Sequence, residues 1–277
     1  MEADKSQAPT QSRLWIVLTG VGGVLNAVLL VVVTALLSPA GQRVAETVLV
    51  PLVDDATRPA PAADEAFEVK VAIHPGQDYA LPEALTTQAE YGPLMAGELD
   101  DNRDLGAFAY AHDGAPTSTM VTKLIITALD RYPIDIVSIE VVDQVRREPL
   151  AGTHLVMTEG GQGGDDIPLE FDLDDPGAGF VDSEGGPYFD GNHTTVQSGE
   201  RVFYDLTFAT TEASYTWLLR VTYLDAENQE RSVLVDRTGS LYEDADSAAA
   251  ADPFALTAGV DTYSISFTRN WLTGAPG

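Results

Sequence analysis

TKLIITAL, Thr122 to Leu129, and DIVSIEVVDQV, Asp135 to Val145, are the two segments whose reading decides the fold. Both are rich in Val, Ile and Thr, and both alternate apolar with polar residues. That period of two is the mark of a strand with one buried face. DRYP, Asp130 to Pro133, lies between them and supplies a turn.

The same period runs outward in both directions. FEVKVAIH, Phe67 to His74, precedes the pair. THLVMT (Thr153 to Thr158), PLEFDL (Pro168 to Leu173), GERVFYDLTFAT (Gly199 to Thr210) and SYTWLLRVTYL (Ser214 to Leu224) follow it. After the polar turn DAENQ come ERSVLVD, Glu230 to Asp236, and TYSISFT, Thr262 to Thr268. No long amphipathic helical run occurs beyond residue 66, and residues 81 to 104 read as a short helix or a long loop. Ser247 to Asp252, SAAAAD, reads as a surface connection. Eight or more short strands separated by turn signals predict a mainly β fold, an antiparallel β-sandwich of immunoglobulin-like type, with a barrel as the second architecture. Trp217 shares its strand face with Tyr215 and Leu219, which predicts a core position.

Ahead of this region, Leu14 to Leu37 is a 24-residue stretch without charge. About 20 apolar residues span a bilayer's hydrocarbon core. Trp15 stands at its start, where aromatic rings favour the headgroup level. A cleaved signal peptide is the alternative, with Ser38-Pro39-Ala40 as its cleavage site, but its apolar region is shorter, about 7–15 residues. Lys5 and Arg13 before the span, against Arg43 after it, point the N-terminus inward. Gly23 and Ala27, four apart, and polar Asn26 are of the kind that pack helices together in membranes. Pro51 limits any helical extension, and Ala56 to Ala66, ATRPAPAADEA, is a linker. The expected organisation is a cytoplasmic tail (1–13), a transmembrane helix (14–37), a juxtamembrane segment and linker (38–65) and an extracytoplasmic β-sandwich domain (66–277).

The chain of 277 residues carries a net charge of −28, with lysine at only three positions: 5, 70 and 123. Nucleic acid is excluded as a partner, because its binders cluster Lys and Arg to displace counterions. There is no cysteine, so disulfides, thiol nucleophiles and thiolate metal sites are excluded too.

The stretch GGQGGDDIPLEFDLDD, Gly160 to Asp175, raises the question of a metal. Gly160 to Pro168 fits one G-G-x-G-x-D-x-U-x unit, but that calcium-binding unit works by tandem stacking and here stands alone. An EF-hand reading starting at Asp172 puts Pro176 at position 5 and Ser183 where a bidentate Glu belongs. Between Asp165 and Asp190 there are nine carboxylates and no Lys or Arg. Calcium takes about 6–8 oxygens, so Asp165, Asp166, Asp172, Asp174, Asp175 and Asp182 form a candidate calcium set. A solvated acidic loop is the plain reading. Strand alternation by itself points Glu170 and Asp172 outward and Leu169, Phe171 and Leu173 inward.

His74, His112, His154 and His193 lack metal-ligand spacing. No HExxH, G-x-S-x-G, S-x-x-K, phosphate-loop or dinucleotide motif is present. Asn192-His193-Thr194 is a sequon whose default reading in a bacterial protein is no glycan. Carboxylate pairs are numerous, and which of them lie about 5–10 Å apart, as glycoside hydrolysis requires, is not a property of sequence.

Thr122 to Leu155 also resembles a family of uncharacterised actinobacterial single-pass membrane proteins. There, two strands lead into Arg-Arg-x-Pro-Leu-x-Gly, which here is Arg146 to Gly152. A Gly-rich stretch and an aspartate-containing strand follow, matching Gly160 to Asp174. A Trp-centred strand and a turn then lead to a basic-acidic strand, matching Trp217 to Asp236. The resemblance spans residues 118 to 245 and implies fold and location, since that group has no established function. Its members often carry Cys near the Gly-rich stretch and before the Trp, where this chain has none.

The expected function is therefore a membrane-anchored interaction or structural module of the cell envelope, not an enzyme, with no cofactor and an envelope or protein partner. A calcium-dependent binding or adhesion domain using the 160–190 loops is the alternative, and a carboxylate-pair hydrolase is the second.

Overall fold

The computed structural model describes residues 66–74, 77–96, 102–129, 133–157, 166–270 and 275–276. The predicted tail, membrane span and linker fall outside these residues, apart from Ala66. Among the described residues no helix is long and apolar enough to cross a membrane.

In chain order the strands are β1 (Phe67–Ile73), β2 (Tyr79–Leu81), β3 (Ala115–Pro116), β4 (Thr119–Ala128), β5 (Ile134–Arg147), β6 (Thr153–Met157), β7 (Ile167–Asp172) and β8 (Thr194–Val196). They continue with β9 (Arg201–Ala209), β10 (Ser214–Leu224), β11 (Glu230–Val235), β12 (Leu241–Tyr242), β13 (Phe254–Thr257), β14 (Ile265–Asn270) and β15 (Ala275–Pro276). Helices α1 (Gln88–Ala96) and α2 (Asn102–Ala111) lie between β2 and β3, in and just beyond the stretch read as a short helix or loop.

The fold is mainly β, and two of its sheets form a sandwich. The first sheet has the order β1-β4-β9-β7. The second has the order β12-β11-β10-β5-β8, with β13 also paired to β10. β4 and β5 belong to different sheets, so DRYP joins the two layers and does not close a hairpin. The same holds between β9 and β10. β10 and β11 do form a hairpin across DAENQ.

Alternation along each strand decides which face is buried. On β4, Met120, Thr122, Leu124, Ile126 and Ala128 point inward, and on β9 Val202, Tyr204, Leu206 and Phe208 do the same. The predicted inward set Leu169, Phe171 and Leu173 is buried, while Glu170 and Asp172 are exposed. The fully buried Trp217 lies 4.8 Å from Phe208 across the layers and stacks at 5.8 Å on Phe254. One extra residue in β5 opposite Thr216–Leu218 makes a bulge, at which Asp143 takes a φ of 52°.

The expectation of a purely antiparallel sandwich needs correction. β7 runs parallel to β9, and β14 runs parallel to β6. The chain leaves β7, crosses to the second sheet as β8 and returns as β9 in the same direction as β7, so a hairpin geometry is ruled out there. A third sheet, β15-β14-β6-β2-β3, was also not foreseen as a separate layer. It builds its own small core from Tyr79, Leu81, Leu85, Leu105, Ala109 and Leu155, beneath α2 and the segment after β2. Gly152, the last residue of the Arg-Arg-x-Pro-Leu-x-Gly segment, joins β2 to β14 through hydrogen bonds to Leu81 and Ile265. A side chain there would meet the Glu83 backbone at 2.3 Å, so only glycine fits.

Trp217→Ala removes the ring that both layers pack on, and is expected to cost about 3–5 kcal/mol. Phe203→Ala, on the open face of β9, is expected to cost under about 1 kcal/mol. Urea unfolding followed by circular dichroism checks both; similar losses would place Trp217 outside the core that holds the sheets together.

Candidate functional site

The strand β7 separates the acidic residues that sequence had grouped. Asp166 immediately precedes it and Asp172 ends it. Six residues at about 3.3 Å each put them about 20 Å apart, too far to share one ion. Asp165 lies outside the described residues. At the far end of β7, Asp172 Oδ1 accepts the Asp174 N–H at 2.9 Å, and exposed Asp175 leads into a short 3-10 turn, Pro176–Ala178. Asp174 accepts hydrogen bonds from Thr210 Oγ1 (2.9 Å), Thr211 N (2.7 Å), Thr211 Oγ1 (3.2 Å) and Tyr215 OH (3.0 Å). Burial raises its pKa, but these donors outweigh burial and hold the carboxyl below its ordinary range. Asp182 Oδ1 turns back on its own loop and accepts the N–H groups of Glu184 and Gly186. The described members of the calcium set, Asp166, Asp172, Asp174, Asp175 and Asp182, therefore lie at three places. Among the described residues no three His, Asp or Glu side chains are grouped so as to hold a metal ion.

Two further aspartates, not singled out from sequence, organise turns. Asp225 Oδ1 takes the N–H groups of Glu227 (3.0 Å) and Gln229 (2.8 Å) in the DAENQ hairpin, and Oδ2 meets Arg231 Nε at 3.1 Å. Asp236 is 1% exposed and accepts from Thr238 N and Oγ1, Ser240 N, Tyr242 OH and Asp252 N, all within 3.1 Å. Burial pushes its pKa up, yet these five donors more than offset it, and the carboxyl stays below its ordinary value. The motif Asp-Arg-Thr-Gly-Ser was the available signal, since Asp commonly caps its own turn two residues on.

The most unusual chemistry lies on the outward face of the first sheet. Lys123 on β4 is directly opposite Asp205 on β9. β7 flanks β9 on its other side, with Ile167 opposite Tyr204, so Asp166 reaches in from the start of β7. Lys123 Nζ donates to Asp166 Oδ2 and lies 3.9 Å from Asp205 Oδ1. The side chains of Lys123, Asp166 and Asp205 are 36%, 10% and 22% exposed. Burial, then the neighbouring Asp166 charge, raises the Asp205 pKa. The hydrogen bond to Asp166 raises that of Lys123. Val121 and Ile125 flank Lys123 on its strand, and Phe203, 36% exposed, stands with its ring centroid 6.0 Å from Nζ. Sequence periodicity pointed Lys123 and Asp205 outward but carried no sign that they meet, because register between strands distant in sequence is set only on folding.

No family model matches this chain, and no curated protein matches it. Among solved structures, the crystal structure of the cupredoxin domain of amoB from Nitrosocaldus yellowstonii is similar at 11% identity, covering 70% of this chain and 90% of that one, with a TM-score of 0.20. A likeness that slight transfers neither ligand nor activity.

Two outcomes follow from these carboxylates. Thermal unfolding in EDTA and in millimolar calcium is expected to give the same melting temperature, since Asp166, Asp174 and Asp182 are already engaged by protein donors; a rise with calcium unmatched by magnesium would restore the loop as a metal site. Asp236→Asn is expected to cost about 1–3 kcal/mol at pH 7. A depressed folded-state pKa contributes stability above the unfolded value, about 3.9, that is lost as pH falls through the folded value. The gap between wild type and Asp236→Asn should therefore narrow below about pH 4 in acid-unfolding curves, and a gap constant with pH would contradict the assignment.

Proposed function

We propose that this protein is a single-pass, membrane-anchored module with an immunoglobulin-like sandwich on the extracytoplasmic side, acting through binding rather than turnover. The observation that carries the binding reading is the outward face of the first sheet. There Phe203, Val121 and Ile125 stand beside the Lys123 charge cluster. Exposed aromatics next to paired charges are the composition of a protein-recognition surface, with apolar contact for affinity and charge for register. The charge-free stretch Leu14–Leu37 supports the anchor, and Lys5 and Arg13 support a cytoplasmic N-terminus. The net charge of −28 favours a partner that brings basic groups. Resemblance to the actinobacterial membrane family agrees with this placement.

The absence of cysteine makes the test direct. A single cysteine at exposed Ser198 is expected to react with a membrane-impermeant maleimide in intact cells. One at Gln7 should react only after lysis. The reverse pattern would overturn the topology. A photo-crosslinking residue at Phe203 should then capture one discrete partner in cells, and the same residue at exposed Glu230, on the second sheet, should not; equal capture at both would remove the first sheet as the binding face.

A further inference from the structure

Lys123, Asp205 and Asp166 lie in a row across three neighbouring strands. β4 and β7 are two strand spacings apart, about 10 Å, with β9 between them. A lysine from one side and a carboxylate from the other close that gap over the top of β9. The middle strand contributes Asp205, a second carboxylate beside both groups. Asp166 is only 10% exposed, and Val121, Ile125 and Phe203 stand beside Lys123 on the same face. An amine held against a carboxyl with a second carboxyl alongside is the arrangement for amide formation, because holding reactants together removes the bimolecular entropy cost. Arginine would pair with Asp166 equally well but is never deprotonated and is no nucleophile. Lysine stands here, in a chain that has only three.

We propose that Lys123 and Asp166 condense to an intramolecular isopeptide bond, with Asp205 as the proton shuttle. The Lys123 ammonium passes one proton to Asp205, and the freed lone pair attacks Cγ of Asp166, its carboxyl hydrogen-bonded to Asp205. The C–N bond forms, and one oxygen of Asp166 leaves as water, carrying two protons that came from the ammonium by way of Asp205. The amide nitrogen keeps the third. Asp205 returns to its starting state, and no oxidant, reductant or cofactor enters. Burial and the neighbouring Asp166 charge shift the Asp205 pKa upward, the direction a proton carrier needs. The product ties β4 to β7 through a covalent bridge 43 residues apart in sequence. It would restrict the unfolded chain as a disulfide does, in a domain that has no cysteine.

The test is the intact mass of the full-length, detergent-extracted protein under denaturing conditions, followed by peptide mapping. The expected result is a mass below that of the sequence by one water, and a branched peptide joining the Lys123 and Asp166 segments. Lys123→Arg and Asp166→Ala should each restore the full mass. Asp205→Ala should also restore it while retaining the wild-type circular dichroism spectrum. A wild-type mass equal to the sequence would overturn the proposal and leave a simple ion pair. A missing water that persists in Lys123→Arg would overturn it equally, by placing the dehydration elsewhere. Complete bridging in Asp205→Ala would overturn the role of Asp205.

Discussion

The contact on which the remainder depends is Trp217 wedged between Phe208 and Phe254. Phe208 belongs to the first sheet, while Trp217 and Phe254 come from adjacent strands of the second. Aromatic rings bury large areas, and these three bridge the layers at the middle of the sandwich. The indole Nε1 is buried with no hydrogen-bond partner among the described residues. A buried donor left unpaired is costly, so the apolar gain from the ring outweighs it there. From this contact outward the interior is almost wholly apolar, and polar groups are pushed to the turns.

At those turns the carboxylates become useful. Asp174, Asp225 and Asp236 each gather several donors from the loop that carries them or from the next. An ionised carboxylate offers about four lone-pair sites and makes stronger hydrogen bonds than a neutral oxygen. Part of the acidity of this chain is therefore structural: it fastens a change of layer at Asp174 and turns within the second sheet at Asp225 and Asp236. Asp174 binds the end of β7 to the β9–β10 crossover, and Asp236 binds the β11–β12 turn to the segment ahead of β13. Both devices do locally what disulfides do in cysteine-rich exported domains.

The Lys123 row differs from these corners in its position. It lies on the outward face of the first sheet, crosses a strand and bridges two others. Such a tie resists the sliding of β4 past β7. Phe203 and its neighbours share that face, so the proposed tie and the proposed recognition surface lie on one sheet.

Strand identity was written in residue order. The alternation in Thr122–Leu129 and in Ser214–Leu224, the inward turn of Leu169, Phe171 and Leu173, and the core position of Trp217 all follow from a period of two against one buried face. The layer to which each strand belongs was not written there, nor were the parallel pairs β7–β9 and β6–β14, nor the third sheet with its helices. Sheet membership depends on contacts between segments tens of residues apart, and alternation is the same whichever neighbour a strand takes. The acidic stretch shows the same division. Composition made Asp165 to Asp182 look like one cluster. The extended geometry of β7 separated Asp166 from Asp172, sent Asp166 to Lys123, and brought in Asp205 from a strand that no local motif connects to it.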